Sequence, residues 1–230
     1  MGPGPSAVTG ADPQAAVNVT DIIDAHPLGS LQIRLLIMCG FIALLDGLDL
    51  QAIGLAAPGI IAALHVEPRI FGTVFSAALL GLTLGAAVLG PAADRVGRKR
   101  ILIASTITFG VFTVSTAQAT SFEMLLVFRF LTGLGLGGAM PSFISLASEY
   151  VPRKRHALWI TLLWAGFPLG GVIGGVLASL LIPRFGWQSV FYVGGITPVV
   201  LAVVLIGALP ESIGFLVNTG APAERILALL

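Results

Sequence analysis

The sequence predicts an all-α membrane protein of six transmembrane helices, and three features of the chain support this fold class. Hydrophobic residues make up 56% of the 230 positions. Charged residues make up only 10%, whereas an ordinary soluble domain carries about 25%. Six apolar runs are each long enough to cross a bilayer core, which takes roughly 20 helical residues. The net charge of +1 offers no basic surface, so we expect no nucleic acid partner.

The breaks between the six runs carry turn residues and most of the remaining charge. In chain order they are HVEPR (65–69), PAADRVGRKR (91–100), ATS (119–121), VPRKRH (151–156) and PRFGW (183–187), and LPES (209–212) follows the last run. Proline, glycine and clustered charge end apolar helices. The spans are therefore predicted near 35–57, 71–91, 101–120, 123–148, 157–182 and 188–209.

These spans divide the chain into three parts. Residues 1–34 are predicted to form a cytoplasmic tail with a short helix, which Thr20 or Asp21 would cap and Pro27 would end. Residues 35–209 form the six-helix transmembrane bundle. Residues 210–230 begin a cytoplasmic middle loop, which is expected to be cut short.

Basic residues predict the orientation of the bundle in the membrane. The 2–3 and 4–5 breaks together hold seven of them, whereas the opposite side holds only Arg69 and Arg184. Cytoplasmic loops are enriched in Lys and Arg, so those two breaks and both chain ends are expected in the cytoplasm. Tyr150 and Trp187 fall at span ends, where aromatic residues often meet the membrane interface.

Three charged residues fall in the interior of predicted spans: Asp46, Asp49 and Arg129. Each costs about 2.5–3.5 kcal/mol at the centre of a membrane helix. The two aspartates are three residues apart and share a helix face. At 1.5 Å per residue, Asp49 lies about 21 Å from the cytoplasmic start of its span and Arg129 about 9 Å from the outer start of its own. In a core of about 30 Å these depths coincide, so the two side chains can meet.

A buried ion pair that only fixes helix packing is one interpretation of these charges. The third charge argues against it, because an isolated buried carboxylate is costly unless it is protonated. A carboxyl group that exchanges a proton in a site of low dielectric is what proton coupling needs.

Glycines recur every fourth residue in several spans, a spacing typical of closely packed membrane helices. The pairs that we expect to pack are Gly133 with Gly137 and Gly170 with Gly174. Residues 133–138 also match the dinucleotide pattern G-x-G-x-x-G. That motif needs a preceding strand, so this interpretation is rejected for an apolar helix.

Three segments resemble the major facilitator superfamily and, within it, the aromatic acid:proton symporter family. GPAADRVGRKR (90–100) resembles the superfamily signature between spans two and three, with matches at Gly90, Asp94, Arg95, Gly97, Arg98 and Lys99. RFLTGLGLGG (129–138) is similar to the fourth-span pattern. LLDGLDLQAIGLAAP (44–58) resembles the first-span D-G-x-D pattern of the symporter family.

The resemblance implies the N-terminal half of a twelve-span fold, built as two inverted three-helix repeats. The chain is then expected to be a fragment, a truncated product or an isolated half, and its partner is the missing C-terminal half or a second copy. It further implies a symporter of the cell (inner) membrane for small aromatic carboxylates such as 4-hydroxybenzoate. The proton gradient is the driving force, and no cofactor or metal is expected.

The same resemblance implies roles for individual residues. Arg129 would attract the substrate carboxylate or hold Asp49, and Asp46 and Asp49 would carry proton coupling. At a cytoplasmic gate, Asp94 would pair with basic groups and with the positive N-terminus of the third helix. Gly97 would give a tight turn, and Glu149 resembles the acidic partner in the gate.

Other functions remain open at this point. One is a membrane subunit that binds a partner and transports nothing. Another is transport of a different small organic anion or metabolite. A membrane enzyme is disfavoured, because the chain has no Ser/His/Asp set and no metal-ligand cluster, and His26, His65 and His156 all lie in predicted loops or tails.

Overall fold

A computed structural model of the chain describes residues 29–222, and that part is entirely helical. Its elements are α1 (Ser30–Leu64), α2 (Gly72–Val96), α3 (Arg98–Thr116), α4 (Phe122–Glu149), a 3₁₀ turn (Arg153–Arg155), α5 (His156–Phe185), α6 (Gln188–Ala208) and α7 (Ile213–Asn218). Helices α1–α6 correspond one to one with the predicted spans. The predicted short helix near Thr20 and the segment 223–230 lie outside the described residues.

Five of the six long helices have the length and apolar composition of a membrane span, and α3 is the exception. It has 19 residues, so it is about 28 Å long. Its first turn is basic, and six of its residues carry hydroxyl groups, which lowers its apolar character. Since α3 packs lengthwise against α4 and α6, it occupies the same layer as the five apolar helices.

The predicted span ends are wrong at three prolines. Helix α1 continues through Pro58 to Leu64, α2 continues through Pro91 to Val96, and α5 continues through Pro183 to Phe185. Neighbouring helices in a membrane bundle tolerate prolines that would end a soluble helix. The break between the second and third spans is therefore a single residue, Gly97, and not the whole of 91–100. Helix α1 also begins at Ser30, inside the predicted tail.

The six helices form two three-helix repeats, α1–α3 and α4–α6, that interlock. The most extensive contacts between the repeats join α2 to α4 and α1 to α5. The counterparts in the two repeats are α1 and α4, α2 and α5, and α3 and α6. If each helix is replaced by its counterpart, the α2–α4 pair becomes the α5–α1 pair. The contact between α3 and α6 is unchanged by the same replacement. This is the arrangement expected for two inverted repeats.

Glycines bring α2 and α4 into backbone contact. A Cβ atom on Gly133 would collide with the carbonyl oxygen of Ala78, and one on Gly137 with that of Leu82. The contact is reciprocal, because a Cβ atom on Gly81 of α2 would collide with a carbonyl oxygen of α4. The contacting residues advance together along both chains, so the two helices run parallel.

The equivalent pair, α1 and α5, packs in the same way. A Cβ atom on Gly170 would collide with the carbonyl oxygen of Leu44, and one on Gly174 would lie 3.0 Å from that of Leu48. On the facing helix, Gly47 leaves room for the backbone of α5. The close approach of the helix backbones in the α2–α4 pair and in the α1–α5 pair therefore requires glycine at these positions.

Candidate functional site

The three charged side chains of the spans meet inside the bundle. Asp46 is 6% exposed, Asp49 5% and Arg129 1%. Arg129 Nη1 donates to Asp49 Oδ2 at 2.9 Å, and Nη2 donates to Asp49 Oδ1 at 3.3 Å. This two-bond ion pair joins α1 to α4, a meeting that the sequence arithmetic allowed. A planar guanidinium and a carboxylate form their most specific pair in this geometry.

Three threonines surround the ion pair, and the sequence analysis did not identify them. Thr116 Oγ1 accepts from Arg129 Nε at 3.3 Å and from Nη2 at 3.2 Å, and Thr132 Oγ1 lies 3.4 Å from Nη2. Thr113 Oγ1 donates to Asp49 Oδ1 at 3.3 Å. Two signals could have revealed them: Thr132 follows Arg129 by one helical turn, and Thr113 and Thr116 are one turn apart on α3.

An aromatic side chain of α6 completes the enclosure of the guanidinium. The Arg129 Cζ atom lies 5.3 Å from the centre of the Phe191 ring. Phe191 in turn packs edge-on against Trp187, with ring centres 5.9 Å apart. A cation over a desolvated aromatic ring gains about 2 kcal/mol. Trp187 is buried in this cluster and lies at the start of α6, in agreement with its predicted place at the end of a span.

A cavity of about 210 Å³ opens in front of the ion pair. Its polar wall is formed by Asp46, Asp49, Arg129 and Thr132. The apolar remainder comes largely from α2, a helix that the sequence analysis did not assign to the cavity. The residues of that remainder are Leu50, Ile53, Val74, Phe75, Ala78, Leu79, Leu82, Gly133, Leu136, Met140 and Phe167.

Asp46 differs from Asp49 in having no partner. It lies one turn away on the same face of α1 and lines the cavity. Among residues 29–222, no side chain or backbone group forms a hydrogen bond or an ion pair with it. The two aspartates are therefore chemically distinct: one is fixed by an arginine, and the other is available to a proton or ligand in the cavity.

A second polar cluster lies at the end of the bundle where α2 joins α3 and α4 joins α5, which we call the basic end. Arg98 Nη2 lies 3.0 Å from Asp94 Oδ1, and Arg98 also forms an ion pair with Glu149 of α4. Gly97 makes this possible, because its φ of 110° allows α2 and α3 to meet with no further linking residue. Arg98 thus ties the α2–α3 corner to the end of α4.

The N-terminus of α3 holds a different carboxylate from the one predicted. The backbone N–H of Lys99 donates to Glu211 Oε1 at 3.0 Å, whereas the hydrogen bonds that Asp94 accepts within residues 29–222 come from Arg98. Glu211 lies immediately before α7, and the sequence analysis assigned it no role. Its position close to the first turn of α3 could not be inferred from residues that are 112 positions apart.

Glu149 and Tyr150 fasten this segment to the bundle. Ser212 Oγ donates to the Glu149 carboxylate at 2.8 Å, and the N–H of Gly214 approaches the same carboxylate at 3.3 Å. Tyr150, which follows the last residue of α4, is fully buried, and its hydroxyl donates to the Glu211 carbonyl at 2.7 Å. Burial raises the pKa of Tyr150, and the nearby carboxylates of Glu149 and Glu211 raise it further.

The remaining residues of the predicted gate motif are Gly90, Arg95 and Lys99. Gly90 lies on α2, where a Cβ atom would make ordinary contact with Pro141 of α4. Within residues 29–222, the side chains of Arg95 and Lys99 make no ion pair, and Arg95 is exposed.

Similarity to known proteins agrees with this architecture. A family model described as the Major Facilitator Superfamily matches residues 39–224. The 4-hydroxybenzoate transporter PcaK of Pseudomonas aeruginosa is 44% identical over 214 residues, which make up 93% of this chain and 48% of that protein. The gallate transporter of Pseudomonas putida is 40% identical over 216 residues, which make up 94% of this chain and 48% of that protein. The chain thus spans about half the length of these curated relatives.

Solved structures share the fold at lower sequence identity. The xylose transporter XylE from E. coli, in a partially occluded inward open conformation, matches 88% of this chain and 53% of its own with a TM-score of 0.77 and 17% identity. A bacterial homologue of the lysosomal transporter Spinster matches 80% of this chain and 45% of its own with a TM-score of 0.66 and 24% identity. These likenesses concern the fold alone. Together with the family match, they confirm the expected superfamily: the chain belongs to the Major Facilitator Superfamily.

Proposed function

We propose that this chain forms the N-terminal six-helix bundle of a proton-coupled transporter for small aromatic carboxylates such as 4-hydroxybenzoate. The observation that carries the proposal is the cavity wall on which a buried Asp49–Arg129 pair lies beside an unpartnered Asp46. The names of the curated relatives support the substrate class, since they include transporters of 4-hydroxybenzoate and gallate.

The chemistry of the wall suits an aromatic acid and a proton. The Arg129 guanidinium can grip a carboxylate with two parallel hydrogen bonds, as it grips Asp49. A substrate carboxylate therefore competes with Asp49 for the same donors. Protonation of Asp49 weakens its hold on Arg129, and Asp46 supplies a second carboxyl group that can exchange a proton. The rings of Phe75 and Phe167 offer apolar surface to the aromatic part of the substrate.

Transport requires a second bundle. Alternating access is a rocking of two halves about one site, and the cavity of about 210 Å³ is smaller than a complete small-molecule site of roughly 300–1,000 Å³. We propose that the other wall comes from a further six-helix half, as in relatives of twice the length, or from a second copy of this chain. The proton gradient supplies the energy, with no cofactor.

The basic end is proposed to face the cytoplasm of a cell with the protein in its inner membrane. Both chain ends would then be cytoplasmic by the positive-inside rule. In this orientation Asp94, Arg98 and Glu149 form a cytoplasmic gate whose ion pairs rearrange as the two halves rock.

The test is uptake of labelled 4-hydroxybenzoate into proteoliposomes with an acidic exterior, which contain the purified chain either alone or together with a C-terminal six-helix half. Accumulation should collapse with a protonophore, and benzoate should compete whereas the neutral 4-hydroxybenzamide should not. Competition by the amide as strong as that by benzoate would contradict carboxylate recognition. Arg129→Lys keeps the charge but loses the planar fork, so it should abolish counterflow. Asp46→Asn and Asp49→Asn should abolish accumulation.

A second candidate function follows from the length of the chain relative to its relatives. A bundle with one cavity wall could serve as a membrane subunit that binds a partner and transports nothing. Saturable binding of 4-hydroxybenzoate without uptake would favour this alternative. Uptake of other organic anions in preference to aromatic acids would instead assign a different substrate to the same transporter.

A further inference from the structure

Helix α3 directs the proton of one of its six hydroxyl groups at a carboxylate of another helix. Four of its hydroxyl side chains donate to the backbone carbonyl four residues earlier, which is the usual fate of a hydroxyl group in a membrane helix; they are Thr106, Thr108, Ser115 and Thr116. Thr113 instead directs its hydroxyl proton at Asp49 Oδ1, 3.3 Å away. Its hydrogen bond therefore serves another helix.

The hydroxyl group of Thr116 acts as a hydrogen-bond acceptor toward the site, whereas that of Thr113 acts as a donor. Its proton is used by the Phe112 carbonyl at 2.9 Å, which leaves its lone pairs to accept from Arg129 Nε and Nη2. One turn of α3 therefore presents a donor to the carboxylate and an acceptor to the guanidinium. Each hydroxyl group matches the charge that it faces.

Both threonines lie behind the ion pair and away from the cavity. Each is fully buried, and among the described residues neither belongs to the cavity lining, to which α3 contributes no residue. They reach a bound substrate only through Asp49 and Arg129.

We propose that Thr113 and Thr116 are positioning residues of this site, which hold Asp49 and Arg129 independently of each other. When the pair separates, Thr116 keeps Arg129 aimed at the cavity, and Thr113 keeps the Asp49 carboxyl group in place. The pair can then open and re-form without either group losing all of its hydrogen bonds. This inference rests on the proposed function, because it concerns how that site survives the separation of its ion pair.

The two roles predict different transport defects. Thr113→Val, which removes the hydroxyl group at similar volume, should reduce proton-driven accumulation about tenfold or more while counterflow persists, since it acts through Asp49. Thr116→Val should raise the half-saturating substrate concentration for counterflow about tenfold or more, since it acts through Arg129. Thr113→Ser and Thr116→Ser should restore most of each activity.

The matched control is Thr106→Val. Thr106 is on the same helix and 1% exposed, but its hydroxyl group donates only to Leu102 of its own helix at 2.7 Å. It should leave both transport measurements unchanged. A merely structural effect of removing a buried hydroxyl group would affect this control and the two test variants alike.

A second measurement does not depend on transport. In an Arg129→Met background, Thr116→Val should cause no further loss of the melting temperature of the purified chain, whereas Thr113→Val should keep its full effect. Losses of equal size in both backgrounds for Thr116→Val would overturn its assignment to Arg129.

The outcomes separate the two proposals. An absence of uptake by the wild-type chain, both alone and together with a C-terminal six-helix half, would overturn the proposed function, while the thermal comparison still tests the contacts. Wild-type uptake with both valine variants behaving like Thr106→Val would overturn the positioning roles and leave the proposed function standing.

Discussion

Replacing Asp49 by asparagine measures how strongly this carboxylate stabilises the buried guanidinium of Arg129. The substitution conserves the volume of the side chain and removes its charge. Arg129, which is 1% exposed, then remains in the bundle without a counter-charge. Asp46→Asn is the matched control, because Asp46 lies one turn away on the same helix and has no partner among residues 29–222.

The size of the effect follows from what Arg129 retains. Removing one partner of a buried ion pair costs about 3–5 kcal/mol. Here Arg129 keeps its hydrogen bonds to Thr116 and Thr132 and its contact with Phe191, and the new amide oxygen still accepts one bond. We therefore expect a loss near the lower limit, about 3 kcal/mol, which is about 100-fold in the unfolding equilibrium. Asp46→Asn should not destabilise the chain, because it removes no ion pair and no hydrogen bond among residues 29–222.

The assay is unfolding of the purified chain in mixed micelles by titration with sodium dodecyl sulfate, followed by helical circular dichroism. A double variant with Asp49→Asn and Arg129→Gln removes both charges and should recover most of the stability lost by Asp49→Asn alone. Equal destabilisation by Asp46→Asn and Asp49→Asn would refute the reasoning. So would a double variant less stable than the sum of the two single changes.

Three further predictions follow from other parts of the bundle. Gly137→Val should prevent folding, because its side chain would collide with the Leu82 carbonyl of α2. Gly54→Val is the control, because a Cβ atom at Gly54 has no atom of another helix within 4 Å. In size-exclusion chromatography the control should yield a monodisperse protein. Above about pH 10, the melting temperature of the wild-type chain should fall more steeply than that of Tyr150→Phe. The raised pKa of Tyr150 stabilises the folded state fully below the pKa of tyrosine in the unfolded chain, and this stabilisation is lost as pH rises beyond that pKa. Parallel curves of melting temperature against pH would contradict this. Lys99→Cys should react with an impermeant maleimide only after cells are permeabilised, and ready labelling of intact cells would overturn the topology.

The sequence could predict the features that follow from the hydrophobicity of the helices and from the position of each charged residue along its helix. Six apolar runs are enough to place six helices, since a bilayer leaves the backbone few alternatives. The meeting of Asp49 and Arg129 was within reach for the same reason, because distance along a membrane helix is a simple product of residue number and rise. The ends of the helices were less accessible, since Pro58, Pro91 and Pro183 are accommodated by neighbours that a linear pattern does not reveal.

The features that the sequence could not predict depend on which side chain faces which helix. Thr113 and Thr116 look like ordinary hydroxyl residues of a weakly apolar span until their hydrogen bonds are known. Glu211 and Asp94 are both plausible partners for the N-terminus of α3, and only the folded bundle shows that Glu211 reaches it. The orientation of α2 toward the cavity is likewise a matter of packing.

The interlocked glycine contacts have a consequence for biosynthesis. Gly47 of α1 meets the backbone of Phe167, about 120 residues later in the chain. At a ribosomal rate of roughly 5–20 residues per second, about 6–24 s pass between the synthesis of Gly47 in α1 and that of Phe167 in α5. Arg129 is also made after Asp49, 80 residues further along.

Until α4 is made, α1 has both a bare glycine face and an Asp49 carboxyl group without its arginine. A nascent chain that stalls between α4 and α5 has Arg129 to pair with Asp49, but the glycine face of α1 is still uncovered. The order of synthesis therefore makes the arrival of α5 the event that ends the vulnerable period of this protein.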